Sequence, residues 1–133
     1  MLIKWDEFNS VNVKEIDGQH KILVSVINRL DDARVRNDLE DIKNLFTELL
    51  DYADFHFATE EKYFAKFKYP ATESHEAEHA VYREKIGAFN ERYKTEGAEV
   101  IPEILAFLRD WWIMHINTSD ANYTDFFNEN GLY

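Results

Sequence analysis

His56-Phe57-Ala58-Thr59-Glu60 and His75-Glu76-Ala77-Glu78-His79 decide how this chain folds. In each stretch two metal-ligand residue types stand four positions apart, and both lie inside longer runs with the three-and-four spacing of helices. The first run is Ile42, Leu45, Leu49, Tyr52, His56, Glu60, Tyr63, Phe67, and the second is His75, His79, Tyr82, Ile86, Phe89, Tyr93. Two further stripes flank them: Ile16, His20, Leu23, Ile27, Leu30 before, and Ile101, Ile104, Leu108, Trp111, His115 after. The spacing predicts an arm over 1–16, helices near 17–36, 38–67, 72–96 and 100–118, and a short C-terminal helix near 120–129.

Local residues account for the breaks. Asn37-Asp38 offers an N-cap, Tyr69-Pro70 stops the second helix, Thr72 suits a third start, and Gly97 ends that helix. Pro102 falls in the first turn of the fourth, where its missing N–H is harmless. Connections this short make neighbours antiparallel, so the expected fold is all-α: an up-down-up-down four-helix bundle, with Trp5 and Phe8 of the arm able to pack on it.

Composition narrows the function. The 133 residues are 45% hydrophobic and 15% aromatic, enough for one domain with a real core. With no cysteine, disulfides, thiolate metal sites and cysteine nucleophiles are all excluded, and a reducing compartment fits. A net charge of −11 argues against nucleic acid or an anionic membrane as partner. The first residues lack the basic-then-apolar run of a signal peptide and no apolar run could span a bilayer, so a cytoplasmic protein without membrane insertion is expected; the acidity and the lack of an extra apolar stripe point to a monomer.

All five histidines occupy expected core positions. A lone core histidine is commonly a satisfied structural residue, but five buried imidazoles without a metal would leave many nitrogens unpaired. His20 and His75/His79 lie near the starts of the first and third helices. His56/Glu60 and His115 lie toward the ends of the second and fourth. In an up-down-up-down bundle all of these fall at one end. Asp120 is five residues past His115, out of phase for a straight helix, but the stripe resumes one residue shifted as Asp120, Tyr123, Phe127. A π-bulge or break around Asn117-Thr118-Ser119 would turn both inward; an N-cap of the last helix is the plainer alternative for Asp120. Five imidazoles and two carboxylates without thiolate suit iron, manganese or zinc. The count points to two irons. If Glu60, Asp120 and a solvent-derived oxygen all bridge, three histidines complete one octahedron, and two leave the other metal an open position.

With Trp5-Asp6, Ile16-Asp17-Gly18-Gln19-His20-Lys21, His56-Phe57-Ala58-Thr59-Glu60-Glu61, Tyr69-Pro70, His75/His79 and His115-Ile116-Asn117-Thr118-Ser119-Asp120 in this order, the chain resembles the haemerythrin family, in particular single-domain bacteriohaemerythrins. The resemblance implies two iron ions (Fe2+/Fe3+) with a bridging oxo or hydroxo group, and O2 as ligand, held as a hydroperoxide. It implies His75, His79 and His115 on the saturated iron, His20 and His56 on the O2-binding iron, and Glu60 and Asp120 as bridges. It implies an apolar O2 pocket of Leu23, Phe57, Trp111, Trp112 and Ile116. Phe64 stands where many members have methionine, and Trp112 where a leucine over the O2 site is common, which bears on ligand kinetics rather than ligation.

The implied function is reversible O2 binding for storage, transport or delivery, without catalysis, with an O2-consuming enzyme as the recipient. Ferritin-like oxidases are a rival class. They carry two Glu-x-x-His pairs plus further glutamates, whereas Glu76–His79 supplies one such spacing here and no second. An enzyme acting on peroxide or nitric oxide, a sensor read by a separate partner, and a metal-free structural bundle are the remaining alternatives.

Overall fold

The computed structural model describes residues 2–133; Met1 of the expected arm lies outside them. Four long helical segments form a closed ring: α1 (Lys14–Arg36), α2 (Leu39–Phe67), α3 (Thr72–Glu96) and α4 (Ile101–Trp111), with α1 against α2 and α4, and α3 against α2 and α4. A π-helical segment, Trp112–Asp120, continues α4 without a break; a 3-10 turn then leads into α5 (Thr124–Glu129). No strand occurs among the described residues.

The helix ends follow their residues. Asp38 caps α2 by accepting from Asp41 N, and α2 closes with Lys68 in the left-handed region at φ 57°. Gly97 ends α3 at φ 69°, a conformation that glycine adopts without a Cβ clash. Pro102 sits in the first turn of α4. α1 begins at Lys14, earlier than the apolar stripe alone suggests. The Asp17 carboxylate, in its first turn, accepts from Ser10 Oγ (2.5 Å) and Val11 N (2.8 Å), fastening the arm to the helix start.

The rest of the arm lies along α1. Asn28 Oδ1 accepts from the backbone of Leu2 and Ile3, and its amide donates back to Ile3 O at 2.7 Å. Trp5 packs inward, but Phe8 is 97% exposed, contrary to the expectation that both would cover the bundle. Phe8 belongs to a short turn whose Asp6 capping box points it at solvent.

Two apolar clusters result. A large one, from Leu23 through Leu49 to Leu108, fills the length of the bundle. A smaller one of Val11, Val13, Ile16, Phe64, Tyr123 and Phe127 closes the end where the arm and α5 meet. The buried polar residues lie between them.

Candidate metal centre

α1 supplies His20, α2 supplies His56 and Glu60, α3 supplies His75 and His79, and the π segment supplies His115 and Asp120. All seven are buried. The i,i+4 pairs meet because one α-helical turn separates them. His115 and Asp120 meet because the π segment puts five residues in a turn, and Thr118 Oγ1 donates back to Ile113 O with the same five-residue reach. Asp120 therefore points inward from within the helix and makes no cap for α5, whose start lacks a side-chain cap.

The side chains form two groups that could each hold a metal ion: Glu60, His75, His79 and His115, and His20, His56, Glu60 and Asp120. Within each group the ligand atoms lie within 4.8 Å of one another. Asp120 faces both ways. Its Oδ1 is 2.8 Å from His75 Nε2 and 3.0 Å from His115 Nε2, while its Oδ2 is 2.8 Å from His20 Nε2 and 3.8 Å from His56 Nε2. Glu60 Oε1 lies 3.0 Å from His79 Nε2, 3.3 Å from His56 Nε2 and 3.5 Å from His75 Nε2. Its Oε2 accepts from Tyr123 Oη at 2.5 Å.

His20 Nε2 with Asp120 Oδ2 and His79 Nε2 with Glu60 Oε1 are hydrogen bonds, but the other contacts between these imidazoles and carboxylates are close without being aligned. His56 Nε2, His75 Nε2, His115 Nε2 and Asp120 Oδ1 make no aligned hydrogen bond among the described residues, although most sit about 3 Å from an opposite partner. Ligand atoms on an octahedron with bonds of ~2.1 Å are about 3 Å apart and aim at its centre rather than at each other. The spacing and orientation fit that arrangement.

Outer partners set the imidazole tautomers. His56 Nδ1 donates to Gln19 Oε1 at 2.6 Å, and Gln19 is itself held by Thr59 Oγ1. His79 Nδ1 lies 3.2 Å from Glu61 Oε2, and His115 Nδ1 lies 3.0 Å from Glu78 Oε1, whose carboxylate also accepts from Ser119 Oγ. Amide and carboxylate oxygens only accept, so these Nδ1 atoms carry the proton, and each ring once it is neutral turns its Nε2 lone pair inward, as a metal would require. His20 Nδ1 has no such partner among the described residues.

An aromatic ring packs against every imidazole. Phe57 stacks on His79 (centroids 3.8 Å, 7°) and Trp111 on His115 (4.0 Å, 13°); Tyr52 runs parallel to His56 (5.2 Å, 13°). Phe64 meets His75 edge-on at 4.8 Å, and Trp112 meets His20 at 6.3 Å. Of the expected pocket residues, Trp112 thus adjoins the two-histidine group, whereas Phe57 and Trp111 lie mainly against His79 and His115. Leu23 and Ile116 are fully buried in the large apolar cluster.

The charges are strongly coupled. Burial and the Asp120 charge push Glu60 up, but the His56 charge and the adjacent His75 and His79 imidazoles outweigh them, and its carboxyl settles at about 2. Burial pushes His75 down, yet the nearby carboxylates of Asp120 and Glu60 raise it to about 10. Asp120 is likewise held well below its ordinary value, by His115, His20 and His56 against the opposing effect of burial.

Sequence reasoning singled out the seven inner residues but not Gln19, Glu61, Glu78, Ser119 or Tyr123, which orient them. Tyr123 was visible only as a member of the shifted stripe, and the outer carboxylates look like ordinary surface acids.

Residues 11–126 match the family described as "Hemerythrin HHE cation binding domain", so the chain belongs to the haemerythrin family. It is 31% identical over 121 residues to the bacteriohaemerythrin of Pseudomonas aeruginosa strain LESB58, covering 91% of this chain and 78% of that one. It is 30% identical over 130 residues to that of Clostridium acetobutylicum, covering 94% and 100%. Among solved structures, a wild-type haemerythrin crystal structure superimposes with a TM-score of 0.86 at 28% identity, covering 94% of this chain and 97% of that one.

Proposed function

We propose that this chain holds two iron ions and binds dioxygen reversibly, for storage, transport or delivery to an O2-consuming partner. His75, His79 and His115 serve one ion and His20 and His56 the other, with Glu60 and Asp120 shared. The observation that carries this reading is Asp120, each of whose oxygens addresses a different imidazole group. The unequal histidine count leaves the His20/His56 side one protein ligand short, which is where an exogenous ligand binds.

Two ferrous ions supply the two electrons that dioxygen takes up on binding and gives back on release. The protein's part is to position and to exclude water. Gln19, Glu61 and Glu78 fix the inward lone pairs of three imidazoles. Leu23, Ile116 and Trp112 keep the surroundings apolar. Neutral imidazoles outnumber carboxylates in the donor set, which favours the ferrous state over the high-valent iron an oxidase requires.

Elemental analysis of protein grown with iron tests the metal content, which is expected to approach two per chain; clearly less than one overturns the reading. A visible charge-transfer band that appears in air and vanishes under vacuum supports carriage. Irreversible bleaching with product formation supports a di-iron enzyme instead.

A further inference from the structure

Three tyrosines are almost completely shut off from solvent, and two of them have partners. Tyr82 Oη donates to Leu49 O at 3.2 Å, and Tyr123 Oη donates to Glu60. The third, Tyr52, is 5% exposed, and its hydroxyl has no hydrogen-bond partner among the described residues. An unpaired buried hydroxyl is a standing loss of stability, so a native structure that keeps one calls for a reason.

Its position suggests the reason. Tyr52 is one turn before His56 on the inner face of α2, and the two rings run parallel with centroids 5.2 Å apart. Both rings start from the same buried face of the helix, and the phenol is the longer. Its oxygen is thus carried on a ring that lies flat against a member of the two-histidine group. Tyr52 belongs to the same apolar cluster as Leu23, Phe57 and Ile116, which bring no side-chain donor. The aromatic neighbours of His75 and His79 are Phe64 and Phe57, which have no hydroxyl. Trp111 also leaves its indole N–H unpaired, but it stacks on His115, on the side with three histidines. An unused O–H beside an imidazole thus occurs on the side with two histidines, where the reading above puts the exogenous ligand.

We propose that the Tyr52 hydroxyl is the hydrogen-bond donor that receives the exogenous ligand on the His20/His56 side. The inference rests on the di-iron reading. The phenol remains a donor at any ordinary pH: burial, then Tyr82, Asp120 and Glu60, hold its pKa well above the usual tyrosine value. A neutral donor in an apolar pocket favours an acceptor carrying negative charge, because charge-assisted hydrogen bonds are the stronger kind.

The test uses the iron-loaded, oxidised protein and azide as probe, comparing wild type with Tyr52→Phe by titration of the visible spectrum. Iron is measured in both, and thermal melting is recorded without iron. The expected result is iron near two per chain in both, azide binding at least about tenfold weaker in the variant, equivalent to ~1.4 kcal/mol, and a metal-free melting temperature that does not fall. Unchanged azide affinity with iron retained overturns the proposal. So does a lower melting temperature or a failure to fold, since either makes the hydroxyl structural. Loss of iron in Tyr52→Phe alone also overturns it, by making the hydroxyl part of metal binding. Wild-type protein that holds no iron defeats the di-iron reading instead, and the two failures are thereby told apart.

Discussion

Tyr123 Oη donates to Glu60 Oε2 at 2.5 Å, with both side chains fully buried. The bond spans 63 residues and ties the turn after the π segment to the C-terminal half of α2. It also divides the carboxylate: Oε2 is committed to the phenol, and Oε1 faces the imidazoles of both groups.

Tyr123→Phe keeps the ring stacked on Phe127 and removes only this bond. A buried hydrogen bond to a charged group is worth ~1.5–3 kcal/mol. The metal-free variant is expected to lose stability on that scale in urea, with iron binding retained but weaker. An unchanged unfolding midpoint would show that the phenol does not anchor Glu60.

Ligand deletions should separate shared from unshared positions. His56→Ala leaves the His20/His56 side with one imidazole, so one iron or the O2 response is lost. Glu60→Ala removes a group common to both sides and leaves the imidazoles without their carboxylate, so iron should fall well below one per chain. Glu60→Ala with two irons and reversible oxygenation would make the ligand assignment wrong.

Proton bookkeeping gives a pH prediction. His75 is raised from 6.5 to about 10, so its contribution to metal-free stability is complete below about 6.5 and lost as pH rises toward 10. Glu60 is lowered from 4.5 to about 2, so its contribution is present above about 4.5 and lost as pH falls toward 2. The metal-free protein should therefore be most stable between about pH 4.5 and 6.5. Metal needs the unprotonated ring, so loading at pH 7 releases the His75 proton and strengthens as pH rises. The gap in melting temperature between loaded and metal-free protein should widen from pH 6 to pH 9; calorimetry showing a constant or shrinking gap would contradict this.

Legibility in the sequence followed distance along the chain. His56/Glu60 and His75/His79 could be read because one helical turn fixes their relation whatever the rest of the fold does. Asp120 could be read because the apolar stripe shifted by one residue with it, and the π segment is the backbone form of that shift. The ring contacts could not. Whether Glu78 meets His115 depends on how α3 and the π segment are rotated against each other, and no local pattern records that angle. Phe8 misled for a related reason: an arm residue has no periodicity, and its capped turn outweighed its hydrophobicity.

Trp112 joins the arm to the centre. Its indole meets Trp5 edge-on at 6.2 Å and His20 at 6.3 Å, and Lys21 Nζ lies over the outer face of that contact, 5.1 Å from the Trp5 ring. One side chain thus lies between the arm and the two-histidine group. Water arriving from the arm side must pass the indole to reach the His20/His56 group. A charged or strongly polar ligand state in an apolar pocket is lost more readily once water can solvate it on the way out. Trp112→Ala should speed both oxygenation and decay of the oxygenated form, with iron near two per chain. Removing so large a buried ring also costs ~3–5 kcal/mol of stability, so Trp112→Leu is the cleaner variant, with a smaller change of the same sign. Trp5→Ala, which touches no imidazole, should reproduce part of the faster decay by freeing the indole. Stopped-flow oxygenation and the decay of the visible band measure all three. Unchanged decay in Trp112→Ala with iron retained would place the indole outside the ligand's path. Faster decay in Trp112→Ala but not in Trp5→Ala would leave the cover with Trp112 alone.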